Sequence, residues 1–290
     1  MFFLFVLSIV LFILSIDYIS KNIDEKVSQK VKDLILSINH NSFLLLLIGA
    51  GATVVVQSSS LIISLIIILV GNKKIDFKDS LYLMMGSNIG TCSTAFLSSI
   101  NSTYFLFFLL GLHFIFRFLF KKNIKILLGV SMLFMSITLL DTATLPLSKS
   151  HIFLCLFSNE NSTFFNLFVS SFFTSITQSS SAVLASLQSF LKHNFINIKT
   201  ATDMMMGANI GTCSTAFLAS LKGGELSRKS AKFNLNFNLV GVLFFLLVRR
   251  YIPIYFLFQS FPVKIQISFL HLLFNILNVL VYLPFLHKNK

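Results

Sequence analysis

The 290-residue chain is 55% hydrophobic and only 11% charged, and its formal net charge is +13. In soluble domains about a quarter of the residues are charged, so a soluble fold does not account for this composition. The basic residues stand in short segments between apolar runs, with no aromatic-basic RNA motif, which argues against nucleic-acid binding. The composition predicts an all-α polytopic membrane protein.

The first apolar run covers residues 1–16, and its nearest lysines come after it rather than before it. A secretory signal peptide has the opposite order of charge. We therefore expect a retained first transmembrane helix whose N-terminus lies outside the cell.

A duplicated pattern follows. The tetrapeptide QSSS stands at 57–60 and again, 121 residues later, at 178–181. At the same offset, the sixteen residues 84–99 match 205–220 at fourteen positions and include the motifs GSNIGT and GANIGT. Two motifs duplicated at one spacing predict two structural repeats.

The number of crossings between the two QSSS motifs predicts how the repeats are related. Spanning segments are expected at 81–100, 103–120 and 126–145, and an odd number of crossings inverts the second repeat, as in many secondary transporters. The first repeat is predicted at 1–125, with a helix, a re-entrant hairpin at 43–70, a broken helix at 80–100 and a helix at 103–120. The second is predicted at 126–250, with a helix, a re-entrant hairpin at 163–191, a broken helix at 202–221 and a helix at 233–248. A C-terminal helix is predicted within 251–290.

The distribution of basic residues predicts the orientation in the membrane. With the N-terminus outside, sixteen Lys and Arg residues fall on one side of the predicted topology. Six fall on the other side: Lys149, Lys192, Lys199, Arg249, Arg250 and Lys264. The positive-inside rule makes the richer side cytoplasmic. This predicts a multi-pass protein of the plasma membrane with a cytoplasmic C-terminus.

The QSSS motifs have the chemistry of an anion site. The segment 43–70 is 28 residues long, which suits two half-helices that meet at a polar tip better than one crossing. At such a tip the second half-helix offers unpaired backbone N–H groups and the positive end of its dipole. Serine hydroxyls and the glutamine amide add further donors.

The GSNIGT motifs complete the expected site. Their paired glycines allow a helix break, and their Asn, Ser and Thr oxygens suit a hard cation such as Na⁺. Burial of an unpaired anion costs tens of kcal/mol, whereas each hydrogen bond to a charged group returns only about 1.5 to 3 kcal/mol. Because neither motif contains Arg or Lys, co-bound cations are expected to compensate the charge. The motifs hold no carboxylate or His for a proton, so Na⁺ is favoured over H⁺.

The remaining features of the sequence are weighed against simpler structural interpretations. Small residues are common at helix contacts in membranes, and a single SSS or GxxxG would be read as packing, but the duplication at equal spacing favours a site. Cys92, Cys155 and Cys213 form no metal or disulfide pattern. No nucleophile–base pair stands out, so an enzyme is not expected. Asp203 is placed near an interface, and the role of Asp141 stays open between an interface and the transport path.

Twin QSSS hairpins, each followed by M-G-[SA]-N-I-G-T, resemble the bacterial branch of the type II sodium/phosphate cotransporter family. The segment HLLFN at 271–275 looks like a late H-x-x-F-N signature of that family, and NLNFN at 234–238 resembles a second one with Asn in place of His. Many bacterial members carry a PhoU-like cytoplasmic domain that is not found in this sequence, so such regulation is expected to be absent or supplied separately. The resemblance implies a Na⁺ and phosphate site formed or lined by Gln57, Ser58, Ser59, Ser60, Asn88, Thr91, Gln178, Ser179, Ser180, Ser181, Asn209 and Thr212.

The expected function is therefore Na⁺-coupled transport of inorganic phosphate by alternating access, with Na⁺ as coupling ion and no other cofactor. Its partners are phosphate, Na⁺ and the lipid bilayer, and a homo-oligomer stays open. The alternatives are a transporter of another oxyanion, a phosphate exporter, an anion channel or a membrane scaffold without transport activity.

Overall fold

A computed structural model describes residues 2–22, 25–37, 41–100, 102–119, 125–147, 150–159, 161–221 and 223–287. The described residues form α-helices and one 3-10 helix, Ile254–Phe258. The helices are α1 Phe2–Lys21, α2 Glu25–Ser37, α3 Ser42–Val56, α4 Ser59–Gly71, α5 Phe77–Gly90, α6 Cys92–Ser99, α7 Ser102–Phe118, α8 Lys125–Leu147, α9 His151–Leu156, α10 Thr163–Thr177, α11 Ser180–Lys192, α12 Ile198–Gly211, α13 Cys213–Ser220, α14 Glu225–Tyr251 and α15 Val263–His287.

The distribution of apolar and polar side chains is that of a membrane protein. Four helices, α1, α8, α14 and α15, are long and apolar enough to cross a bilayer. Large apolar side chains such as Phe43, Phe107 and Phe164 are more than 60% exposed, whereas Asn238 and Asn275 are completely buried. An exposed apolar surface around a polar interior is suited to lipid. The predicted class, an all-α polytopic membrane protein, is confirmed.

Four consecutive helices in one half have counterparts in the other half at the same offset. The bounds of α3, α4, α5 and α6 shifted by 121 residues are those of α10, α11, α12 and α13. In each half the first two helices have 15 and 13 residues. At 1.5 Å per residue they are about 22 and about 20 Å long, short of the ~30 Å hydrocarbon core. Each pair therefore has the dimensions of a hairpin that enters the membrane without crossing it.

Several predicted bounds differ from those of the structure. The predicted helix at 233–248 begins earlier, at Glu225, because the polar residues ahead of the apolar run continue the same helix. Two helices were not predicted: the amphipathic α2, whose apolar residues are too few for a spanning segment, and the six-residue α9. The helix predicted at 103–120 ends at Phe118. Phe120 of the predicted range lies outside the described residues, as do Lys121, Lys122, Lys149, Lys222, Lys288 and Lys290 of the predicted topology.

The glycines of the duplicated motif allow close packing. α5 continues through Gly86 and ends at Gly90, and the interruption before α6 falls at Thr91. A Cβ atom on Gly86 would overlap the backbone carbonyl of Leu46 on α3, and one on Gly207 would overlap that of Leu167 on α10. The backbones of α3 and α5, and of α10 and α12, therefore approach at glycines, as small residues permit in membranes.

This packing predicts a different cost for two glycines on the same helix. A Cβ on Gly49 would overlap the Leu83 carbonyl, whereas one on Gly51 meets nothing within 4 Å. Gly49→Ala should therefore push α3 from α5 and destabilise the protein by about 1 to 3 kcal/mol. Gly51→Ala, the matched control, should leave the thermal midpoint of the detergent-solubilised protein unchanged or slightly raised. Equal midpoints for the two variants would contradict this packing.

Charged side chains join helices at one end of the molecule. Asp141 on α8 lies 2.6 Å from the ammonium of Lys192 on α11 and 3.0 Å from that of Lys264 on α15. Arg249 on α14 pairs with Asp203 on α12 and donates a 3.0 Å hydrogen bond to the Thr163 hydroxyl on α10. Both aspartates are therefore held in ion pairs. Those of Asp141 connect α8 with α11 and α15, and that of Asp203 connects α12 with α14, to which α10 is joined by the hydrogen bond of Arg249 to Thr163.

Candidate functional site

The tip of the first hairpin is shaped by Gln57 and Ser58. Gln57 has the left-handed conformation (φ 56°), and its N–H donates to the Thr53 carbonyl at 2.7 Å, which ends α3. Ser58 is extended, and its hydroxyl accepts a hydrogen bond from the Leu61 N–H, which caps α4. Ser59 and Ser60 consequently form the first turn of α4, where backbone N–H groups have no partner within the helix.

The tip of the second hairpin repeats this geometry. Gln178 is left-handed (φ 52°) and donates to the Thr174 carbonyl at 2.7 Å. Ser179 caps α11 by accepting from the Ala182 N–H at 3.2 Å. A side chain other than glycine in the left-handed region costs free energy. Both tips therefore have the same backbone shape.

The two tips meet in one cavity of about 300 Å³. All eight residues of the two QSSS motifs line it, although the motifs are 121 residues apart. The Ser60 hydroxyl donates to the carbonyl of Gln178 at 3.3 Å, which links the tips directly. Two helix N-termini thus point toward the same space, where their positive dipole ends favour an anion.

Some of these polar groups are engaged and others are available. The Gln57 side chain donates to the Val54 carbonyl at 2.6 Å and accepts from Thr94 of α6 at 3.0 Å. Among the described residues, no hydrogen bond holds the hydroxyl of Ser59 or Ser180, and Ser180 is only 6% exposed. Both hydroxyls are therefore available as donors to a ligand in the cavity.

The other four predicted site residues do not line this cavity. Asn88 and Asn209 are 5% and 4% exposed and face α14 and α15. Thr91 and Thr212 donate to backbone carbonyls one turn back along the chain, those of Ser87 and Asn209. The structure thus brings together the QSSS residues and places the NIGT residues in a neighbouring layer.

That layer is a buried polar network. Asn88 donates to Asn234 on α14 at 3.4 Å, and Asn209 lies 3.3 Å from Nε2 of His271 on α15. One helical turn further along, Asn238 contacts Cys213 and Asn275 contacts Cys92, both at 3.4 Å. Each of α14 and α15 therefore contacts both halves of the chain, through the segments NLNFN and HLLFN.

Two residues of α1 near the tips were not predicted. Asp17 and Ser20 line the same cavity as the QSSS motifs. In the sequence Asp17 is the first charge after sixteen uncharged residues, which looks like the end of a spanning helix. Only the packing of α1 against the hairpins reveals its position at the site.

Comparison with known proteins identifies a family for this chain. The family described as Na⁺/Pi-cotransporter matches residues 11–142 and 147–277, one match for each half of the chain. The chain belongs to the Na⁺/Pi-cotransporter family. It is also 29% identical over 218 residues to the Uncharacterized protein YqeW of Bacillus subtilis (strain 168), covering 72% of this chain and 70% of that protein. No solved structure matches it.

Proposed function

We propose that this protein is a secondary active transporter that couples Na⁺ to the movement of inorganic phosphate by alternating access. The observation that carries the proposal is the meeting of both QSSS tips in one cavity. Two helix N-termini and several serine hydroxyls surround a space suited to a tetrahedral oxyanion. Membership of the Na⁺/Pi-cotransporter family supports phosphate as the anion and Na⁺ as the coupling ion.

Coupling to a cation follows from the charges of the site. None of the described residues that line the cavity is Lys, Arg or His. Hydrogen bonds from neutral donors return only about 1.5 to 3 kcal/mol each against the cost of taking an anion out of water. Cations that enter with phosphate would provide the missing positive charge.

We infer that the two repeats are inverted in the membrane. Between the hairpins, the paired helices α5 and α6, then α7, then α8 would make three crossings, and α9 is too short for another. The hairpins would then enter from opposite faces and meet at their tips, the usual place of a transporter site. The positive-inside rule puts the N-terminus outside and the C-terminus in the cytoplasm.

The position of the cavity along α1 indicates which side of the membrane it would be nearer. Phe5 packs on Phe153 and Phe190, with ring centroids 5.3 and 5.8 Å apart, so the start of α1 lies near the end of α11. The cavity lies along the other half of α1, from Ile13 to Ser20. In the inferred orientation the cavity would be nearer the cytoplasm, and the ion pairs of Asp141 and Asp203 would be nearer the outside.

Transport by purified protein in liposomes tests the function. Radiolabelled phosphate should accumulate above its equilibrium level when an inward Na⁺ gradient is imposed, and not with K⁺ or a pH gradient alone. Equal uptake in Na⁺-free medium with a pH gradient would rule out sodium coupling. Phosphate that only equilibrates, under every gradient, would indicate an anion channel. Sulfate in place of phosphate tests the choice of oxyanion.

A further inference from the structure

A single carboxylate lies on the wall of the cavity. Asp17 on α1 is the only charged residue among the described residues that line it, and Ser20 lies one turn further along the same helix. The remaining polar lining consists of neutral amides and hydroxyls of the hairpin tips and their flanks. The one charged residue on the described cavity wall is therefore acidic, although the proposed cargo is an anion.

The carboxylate is only partly occupied by its protein partner. Lys21, one turn along α1, lies 2.7 Å from Oδ2 of Asp17. The side chain of Lys21 is 72% exposed, and that of Asp17 is 44% exposed. Exposed ion pairs at this spacing are weak, because water competes for both charged groups. A carboxylate accepts several contacts through its two oxygens, so Asp17 retains capacity for another ligand.

A hard cation would offset the repulsion between the Asp17 carboxylate and phosphate. Asp17 next to phosphate is repulsive, whereas a cation between them is attracted by both. Carboxylate and hydroxyl oxygens are the ligands that such cations prefer. We propose that Asp17, together with Ser20, binds the coupling Na⁺ on the α1 wall of the cavity. This inference rests on the proposed function and deepens it.

The first test is the Na⁺ dependence of phosphate uptake in Asp17→Asn. The concentration of Na⁺ for half-maximal uptake should rise about tenfold, the loss of one charge-assisted contact. The phosphate affinity at saturating Na⁺ should change much less. Glu225→Gln is the matched control, since Glu225 forms an exposed pair of the same spacing with Lys229 on α14 and does not line the cavity. It should leave the Na⁺ dependence unchanged.

A second variant separates cation binding from a structural ion pair. Lys21→Gln removes a positive charge beside the proposed cation and frees the carboxylate, so half-maximal uptake should need less Na⁺, by about threefold. The two variants should therefore shift in opposite directions. A purely structural pair predicts the same change for both, because either substitution breaks it, and that result would overturn the proposal.

The variant Asp17→Glu and a measurement of Na⁺ binding give two further tests of the role of Asp17. Should Asp17→Asn fail to fold, Asp17→Glu keeps the charge and should retain Na⁺-dependent uptake with a smaller shift. Binding of ²²Na⁺ to the purified protein, without phosphate, should weaken in Asp17→Asn whether or not the wild type transports phosphate. Unchanged ²²Na⁺ binding would overturn the role of Asp17, whereas wild-type protein that fails to transport phosphate would overturn the proposed function. Loss of proton-driven uptake with an unchanged Na⁺ dependence would make Asp17 a proton carrier instead.

Discussion

Arg249→Met should be among the most destabilising single substitutions in this protein. Arg249 and Asp203 are paired with side chains only 11% and 2% exposed, between α14 and α12. Removal of the guanidinium leaves a buried carboxylate without its compensating charge. Breaking a buried pair in this way costs about 3 to 5 kcal/mol, which corresponds to a fall of roughly 10 °C in the thermal midpoint.

The double variant Asp203→Asn/Arg249→Met separates the effect of the uncompensated charge from the effect of lost packing. It removes both charges, and replacement of a buried pair by neutral groups is often close to neutral in free energy. Most of the lost stability should therefore return, as measured by the thermal midpoint of the fluorescently tagged protein in detergent. Arg250→Met, at the exposed neighbouring position, is the control for loss of one charge. A double variant no more stable than Arg249→Met would show that the contribution of Arg249 is packing.

Local features of the fold were predictable because they repeat. The tips at Gln57 and Gln178 were found from the sequence, since a polar tetrapeptide inside an apolar run has few structural solutions in lipid. The segments predicted at 43–70, 80–100, 163–191 and 202–221 lie within a few residues of four pairs of helices in the structure. The class of membrane protein followed from the composition and from the long uncharged runs.

Contacts between distant segments were not predictable from pattern. Asp17 joins the QSSS tips only because α1 packs beside the hairpins, and Asp141 was ambiguous because its partner Lys264 is 123 residues away. The role of Gly86 was assigned to a helix break, whereas the neighbouring backbone of α3 explains it. Asn88 was assigned to the site on the basis of its residue type, and its contact with Asn234 depends on the packing of α14.

The hydroxyls of Ser59 and Ser180 should each contribute strongly to phosphate affinity. Both line the cavity at equivalent positions of the two tips, and no hydrogen bond holds either hydroxyl among the described residues. Ser59→Ala or Ser180→Ala removes one donor to a charged ligand, worth about 1.5 to 3 kcal/mol. The phosphate affinity should fall roughly ten- to a hundredfold. Ser136→Ala, at a buried serine on α8 outside the cavity, should leave it unchanged.

The double variant Ser59→Ala/Ser180→Ala tests whether the two tips bind the same ligand. Groups that contact one ligand are coupled, so the loss in the double variant should depart from the sum of the two single losses. Serines that only pack helices would instead lower the amount of folded protein and leave the affinity for phosphate and Na⁺ unchanged. Both affinities, normalised to folded protein in the membrane, distinguish these cases. Unchanged affinities in all three variants would remove the serines from the site, and additive losses would show that the two hydroxyls contribute independently.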